Sequence, residues 1–269
     1  MTADPEASGD LPRGARGRRA AAVIALALGL AGFVISATGM ATQLLPRQFS
    51  AAQQQQIENW EVAGRWQQLT AGQIFPASVG YQLSATALQD AMPLDLNALR
   101  VAIAPQSGCG AGVTTSAAAA VLRRDGCKAV LRATYVDATR TYVMTVGVAV
   151  LPTDTAAAKA GQSLSQPRLT AARDTRASRL AAGVLVVRYR GTAAAVLDYS
   201  RQISASFADG PYLVMYAAGY ADSRPRVPVA SDPYTYAEMT SLAEGVAQSV
   251  ADKLAASPAS PHCPGTPGC

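Results

Sequence analysis

The chain begins polar, turns wholly apolar, and then alternates between helix-like and strand-like spacing almost to its end. From Ala20 to Leu45 no charged residue occurs. A helix rises about 1.5 Å per residue and the hydrocarbon core of a bilayer is about 30 Å thick, so this run is long enough to span it. A helix also gives every backbone polar group in lipid an internal partner. Ser50 to Leu69 is helix-like, with Ser50 as a possible N-cap and Gly72 as a stop.

After Pro76 the period shortens. "SVGYQL" and "RVAIA" read as short strands. "KAVLRATYV" alternates, with Leu131, Ala133 and Tyr135 on one face and Arg132 and Thr134 on the other. "TYVMTVGVAVLP" is apolar on both faces, which places it centrally in its sheet, and "DATR" joins the two as a hairpin. Thr153 is placed to cap "DTAAAKAGQSL". "SQPRLTAARDTRAS" is a polar loop and "AAGVLVVRYRG" another strand. "RQISASFADGPYLVMYAAGYAD" is a second hairpin, turned at Asp209 and Gly210. Asp232 and Pro233 open the clearest helix, where Tyr236, Met239, Leu242, Ala243, Val246, Val250 and Leu254 form one apolar stripe. The two hairpins echo each other, and each precedes a helix, which suggests duplication.

The pattern predicts an α+β protein: one N-terminal transmembrane helix, then a mostly antiparallel sheet with helices packed on one face. Residues 1–19 form a basic cytoplasmic tail too polar to fold, 20–45 the transmembrane helix, 46–75 a juxtamembrane helix and linker, 76–257 the exported α+β domain, and 258–269 a Pro-rich, Cys-containing tail.

Charge sets the orientation. Arg13, Arg16, Arg18 and Arg19 precede the apolar run, and only Arg47 follows it closely, so the N-terminus is expected in the cytoplasm and the rest outside. Ala37, Gly39 and Ala41 offer a signal-peptidase-like site, but the run exceeds the roughly 7–15 apolar residues of a usual signal peptide. A retained anchor is therefore expected over a cleaved one. The 269 residues carry a formal net charge of +5; beyond the N-terminal tail the basic residues are scattered, with few interleaved aromatics, which argues against nucleic acid as a partner. Abundant alanine, with arginine far outnumbering lysine, is the bias of a high-GC bacterial genome.

All four cysteines, Cys109, Cys127, Cys263 and Cys269, fall on the exported side, where thiols tend to oxidise. Three connectivities are open, and the local pairing, Cys109 with Cys127 and Cys263 with Cys269, is the simplest. Zinc sites favour C-x₂₋₄-C pairs and thioredoxin-type sites C-x-x-C, and neither spacing occurs. "PQSGCGAG" between a strand and a helix suggests a phosphate loop, yet Gly-Lys-[Ser/Thr] is missing and Val113 replaces the third glycine of G-x-G-x-x-G. Neither a cofactor nor a metal is implied.

Enzyme signatures are equally sparse. The single histidine, His262, sits in the tail, which disfavours Ser-His-Asp, Cys-His and H-E-x-x-H chemistry. No S-x-x-K occurs. Carboxylate pairs such as Glu58 with Glu61, or Glu238 with Glu244, read more simply as solvated helix faces than as a glycosidase pair. The candidate partner or ligand surface consists of Trp60 and Trp66 near the membrane, and Tyr212, Tyr216 and Tyr220 along one strand face, where sheet packing is the competing role.

The anchor, "GRWQQLTAGQIFPA", the internal cysteine loop and the final "AEGVAQSVADKLA" helix together resemble the uncharacterised single-pass membrane-anchored proteins of actinobacteria. The hairpins and last helix are more loosely similar to exported sensor-like domains of mycobacterial kinases and lipoproteins. The resemblance carries no catalytic motif. Topology and the sparse enzyme signatures together lead to the expectation of a non-catalytic, extracytoplasmic interaction or sensor-like module of the cell envelope with a protein partner there. The alternative is a cell-wall-directed hydrolase using carboxylates.

Overall fold

A computed structural model of the chain describes residues 50–83, 94–165, 183–185, 201–222, 224 and 233–256. In chain order the elements are α1 (Ala51–Gln68), α2 (Ala71–Ile74), β1 (Ser78–Leu83), β2 (Leu94–Ser107), α3 (Ser116–Arg124), β3 (Ala129–Asp137), β4 (Tyr142–Val150), α4 (Asp154–Leu164), β5 (Arg201–Asp209), β6 (Tyr212–Tyr220) and α5 (Pro233–Ala255). The described residues from Ala52 onward belong to one compact unit. Six strands form one antiparallel sheet in the order β1-β2-β3-β4-β6-β5.

Both expected hairpins form. Asp137 closes the first, accepting from the backbone N–H of Tyr142 at 2.6 Å and of Thr139 at 3.0 Å. Arg140 there takes a positive φ of 59°. The second turns at Gly210, whose φ of +52° suits a residue without a Cβ. β2 runs well past the predicted "RVAIA", with two register shifts against β3 that let so long a strand bend.

All nine residues of β4 and all nine of β6 are buried. A sheet whose central strands are apolar on both faces needs a layer on each. Under α5, Tyr135, Met144, Val146, Tyr212, Val214 and Tyr216 pack against Met239, Leu242, Val246, Val250 and Leu254. On the opposite face Val130, Ala149, Leu213, Met215 and Ala217 pack against Ala118, Leu122, Ala157 and Ala160 of α3 and α4. Helices thus cover both faces, which corrects the expectation of one. α3 and α4 are short and alanine-rich, so their periodicity named a buried side without saying which face of the sheet it met.

The sheet curls around α5, which touches edge strands β1 and β5 and interior strands β4 and β6. The echo between hairpins also has a spatial limit. β4 and β6 pair symmetrically about Val146 and Tyr216, yet α4 and α5 lie on opposite faces, so the repeat is of hairpins and not of hairpin-plus-helix units.

The predicted membrane span 20–45 lies outside the described residues, as do the basic tail, the cap Asp232 and the 258–269 tail with His262, Cys263 and Cys269. Among the described helices none is long and apolar enough to cross a membrane. Of the expected strand around "AAGVLVV", Gly183 to Leu185 is described. Val184 bridges to Val113, and Leu185 donates its N–H to the Gly112 carbonyl at 2.9 Å.

Candidate functional site

The cysteine loop is a staple. Cys109 and Cys127 are disulfide-bonded, with Cα atoms 6.1 Å apart. Between them Thr115 caps α3, its hydroxyl accepting from the Ala118 N–H at 3.1 Å. The glycines serve packing rather than a phosphate: a Cβ on Gly112 would lie 2.5 Å from the Val130 side chain. At the far end of α3 the buried carboxylate of Asp125 meets Arg124 at 2.7 Å and Lys159 of α4 at 3.4 Å. The Arg124 hydrogen bond, aided by Lys159 and opposed by burial, holds Asp125 below the usual carboxylate range.

The aromatic candidates separate. Tyr212, Tyr216 and Tyr220 do share a strand face, but that face is turned inward and all three are buried. They form no open stacking surface. Spacing is the reason: residues two apart on a strand share a face, so the tyrosines lie with core-facing Val214 and Ala218. Tyr212 donates its hydroxyl to the Val62 carbonyl of α1. Tyr216 reaches Glu244 at 3.4 Å, and Tyr220 packs beside Tyr142 beneath the Arg224 guanidinium, 4.5 Å above its ring. Burial pushes the Tyr212 and Tyr216 hydroxyls up to about 12, and those of Tyr81 and Tyr135 upward as well. Trp66 is half-buried against the core, and Trp60 is 47 % exposed on α1. Nor are the glutamates simply solvated: Glu61 is buried, and Glu238 accepts from the Tyr142 hydroxyl at 2.9 Å.

Sequence reasoning missed two features. The first is the docking of α1. Arg65, in its last turn, donates to the carbonyls of Leu254 and Ala256 at the end of α5. The last carbonyls of a helix run out of partners within it, and a cation suits the negative end of the helix dipole. Val62, Trp66 and Leu69 pack behind this contact. The partners stand about 190 positions apart in sequence, so no local signal announces them.

The second is a groove of about 800 Å³ between α5 and the β1–β2 hairpin. Gly245 lets the helix settle there, since a Cβ would come within 2.6 Å of the Tyr81 Cβ. Each wall carries an amide–carboxylate pair. Gln82 donates to Asp95 at 3.0 Å on the hairpin, and Gln248 donates to Asp252 at 2.8 Å on the helix. Ser249 and Lys253 also line it. Nearby Asp209 is raised above the usual carboxylate range by burial first, then by the charges of Asp252 and Asp154. Among the described residues no three His, Cys, Asp or Glu side chains gather closely enough to hold a metal ion.

Comparison of the chain with family models, curated proteins and solved structures found no match.

Proposed function

We propose that the chain is a membrane-anchored, extracytoplasmic interaction or sensor-like module of the bacterial cell envelope, without catalytic activity of its own. The observation that carries this reading is the docking of α1. The helix that follows the uncharged 20–45 run rests against the core through Val62 and Trp66 and is clamped onto α5 by Arg65, so a load or ligand on the domain reaches the membrane-proximal helix directly. The Cys109–Cys127 bond is consistent with an oxidising compartment.

Asp95 and Asp252, on opposite walls of one groove, are the observation that favours the alternative of a carboxylate hydrolase. Both face water, and each is held by a glutamine amide. That is ordinary for a polar binding surface.

Topology tests the proposal. Protease added to intact spheroplasts carrying the full chain should remove everything beyond the anchor, while carbonate washing leaves the anchor in the membrane. A chain protected until lysis, or one found in the medium with an N-terminus near Thr42, would contradict it.

A further inference from the structure

We propose that the groove between α5 and the β1–β2 hairpin binds a short peptide bearing a free amine, an inference that rests on the interaction-module reading. Asp95 and Asp252 place a carboxylate on each wall, against one cation, Lys253, among the described lining residues. A neutral ligand would desolvate those carboxylates without replacing the lost water, whereas an ammonium replaces it with charge-assisted hydrogen bonds. Lys253 supplies the complement for a peptide carboxylate. Gln82, Asn97 and Gln248 each present both a donor and an acceptor, which is what a peptide backbone offers in return. A sugar fits less well. Sugar sites use exposed aromatic faces, and the one aromatic among the lining residues, Tyr81, is buried beneath Gly245. The α5 wall also ends in the carbonyls that Arg65 holds, so an occupant of the groove sits one turn from the clamp on α1.

The test is calorimetric titration of the full chain in detergent with the pentapeptide Ala-Ala-Lys-Ala-Ala, free at both ends. A copy acetylated at both the lysine and the N-terminus, and chitotetraose, serve as comparators. Saturable binding is expected, falling about tenfold on acetylation with a blocked N-terminus and about tenfold in the double variant Asp95→Asn, Asp252→Asn, the size expected of two exposed ion pairs. It should also weaken at high salt. Thermal melts should show that the double variant folds as the parent does. No saturable peptide binding, or binding indifferent to acetylation and to both substitutions, overturns the peptide assignment. Chitotetraose binding in its place also overturns it but leaves the interaction module standing. Hydrolysis of chitotetraose, abolished in the double variant, overturns both.

Discussion

Beneath α5 the sheet presents Tyr135, Met144, Tyr212 and Tyr216 to Met239, Leu242, Val246 and Leu254; beneath α3 and α4 it presents Ala149, Leu213, Met215 and Ala217 to Ala118, Ala119, Ala157 and Ala160. The first face is built from large side chains against one helix of 23 residues. At about 25 cal/mol per Å² of apolar area removed from water, such side chains stabilise the layer by themselves. On the second face most of the buried helix side chains are alanines, so the packing depends on close approach. Gly147 admits Val184, and Gly112 admits Val130. Around this thinner layer cluster the disulfide, two threonine caps and the Asp125 ion network. Where apolar area is scarce, covalent and polar ties hold the helices.

Large-to-small substitution should separate the faces most strongly. Leu242→Ala should cost about 2–5 kcal/mol, through lost transfer energy and a cavity, and lower the melting temperature of the whole domain. Ala118→Gly on the other face should cost about 1 kcal/mol or less, mainly from helix propensity. Equal effects in paired melts would break the comparison.

Reduction of Cys109–Cys127 should come next. A closed loop of this length contributes about 3 kcal/mol in the chain-entropy model. Hydrogen exchange should quicken in α3 and the 108–115 loop and leave α5 protected. Loss of protection in α5 first would show that the disulfide supports the wrong layer.

Gly147→Ala should follow, at about 1–3 kcal/mol from overpacking against Val184, whose side chain would lie 2.5 Å from the new Cβ. Gly64→Ala on α1, with nothing closer than the Gln68 amide at 3.8 Å, is the matched control and should be neutral or slightly stabilising.

pH should act on the two faces from opposite ends. Tyr212 and Tyr216 face α5 with hydroxyls raised from 10.0 to about 12, so the stability tied to their neutral form is whole below pH 10 and drains as pH rises from 10 to 12. Asp125, between α3 and α4, is lowered, so its contribution is whole above the ordinary carboxylate range and is lost as pH falls through its lowered value. Alkaline melts should be blunted in Tyr216→Phe and acid melts in Asp125→Asn. Asp209 runs the other way: its raised value means that Asp209→Asn stabilises at neutral pH, with the gain vanishing below the ordinary carboxylate range.

What the sequence disclosed follows from how local each signal is. The α5 stripe, β1, both hairpin turns and the Thr153 cap depend on neighbours within a few residues, and each lies where its spacing put it. The position of β6 between β4 and β5 was hidden because it joins residues about 70 apart through apolar strands that any neighbour would satisfy. Tyr212, Tyr216 and Tyr220 were correctly placed on one face, but alternation does not say which face meets the core. The groove was illegible for the same reason as the Arg65 clamp. Its walls come from a hairpin and a helix about 150 residues apart, and Gln82–Asp95 reads locally as an ordinary cross-strand pair.

The most direct test of the proposal that the stapled domain is exported is the redox state of Cys109 and Cys127 in the living cell. Thiols are blocked with a membrane-permeant reagent in intact cells, membranes are collected, and peptides are read by non-reducing mass spectrometry. The account predicts the two cysteines cross-linked to each other in material that sediments with the membrane. Both thiols found blocked, in membranes or in the soluble fraction, would contradict it.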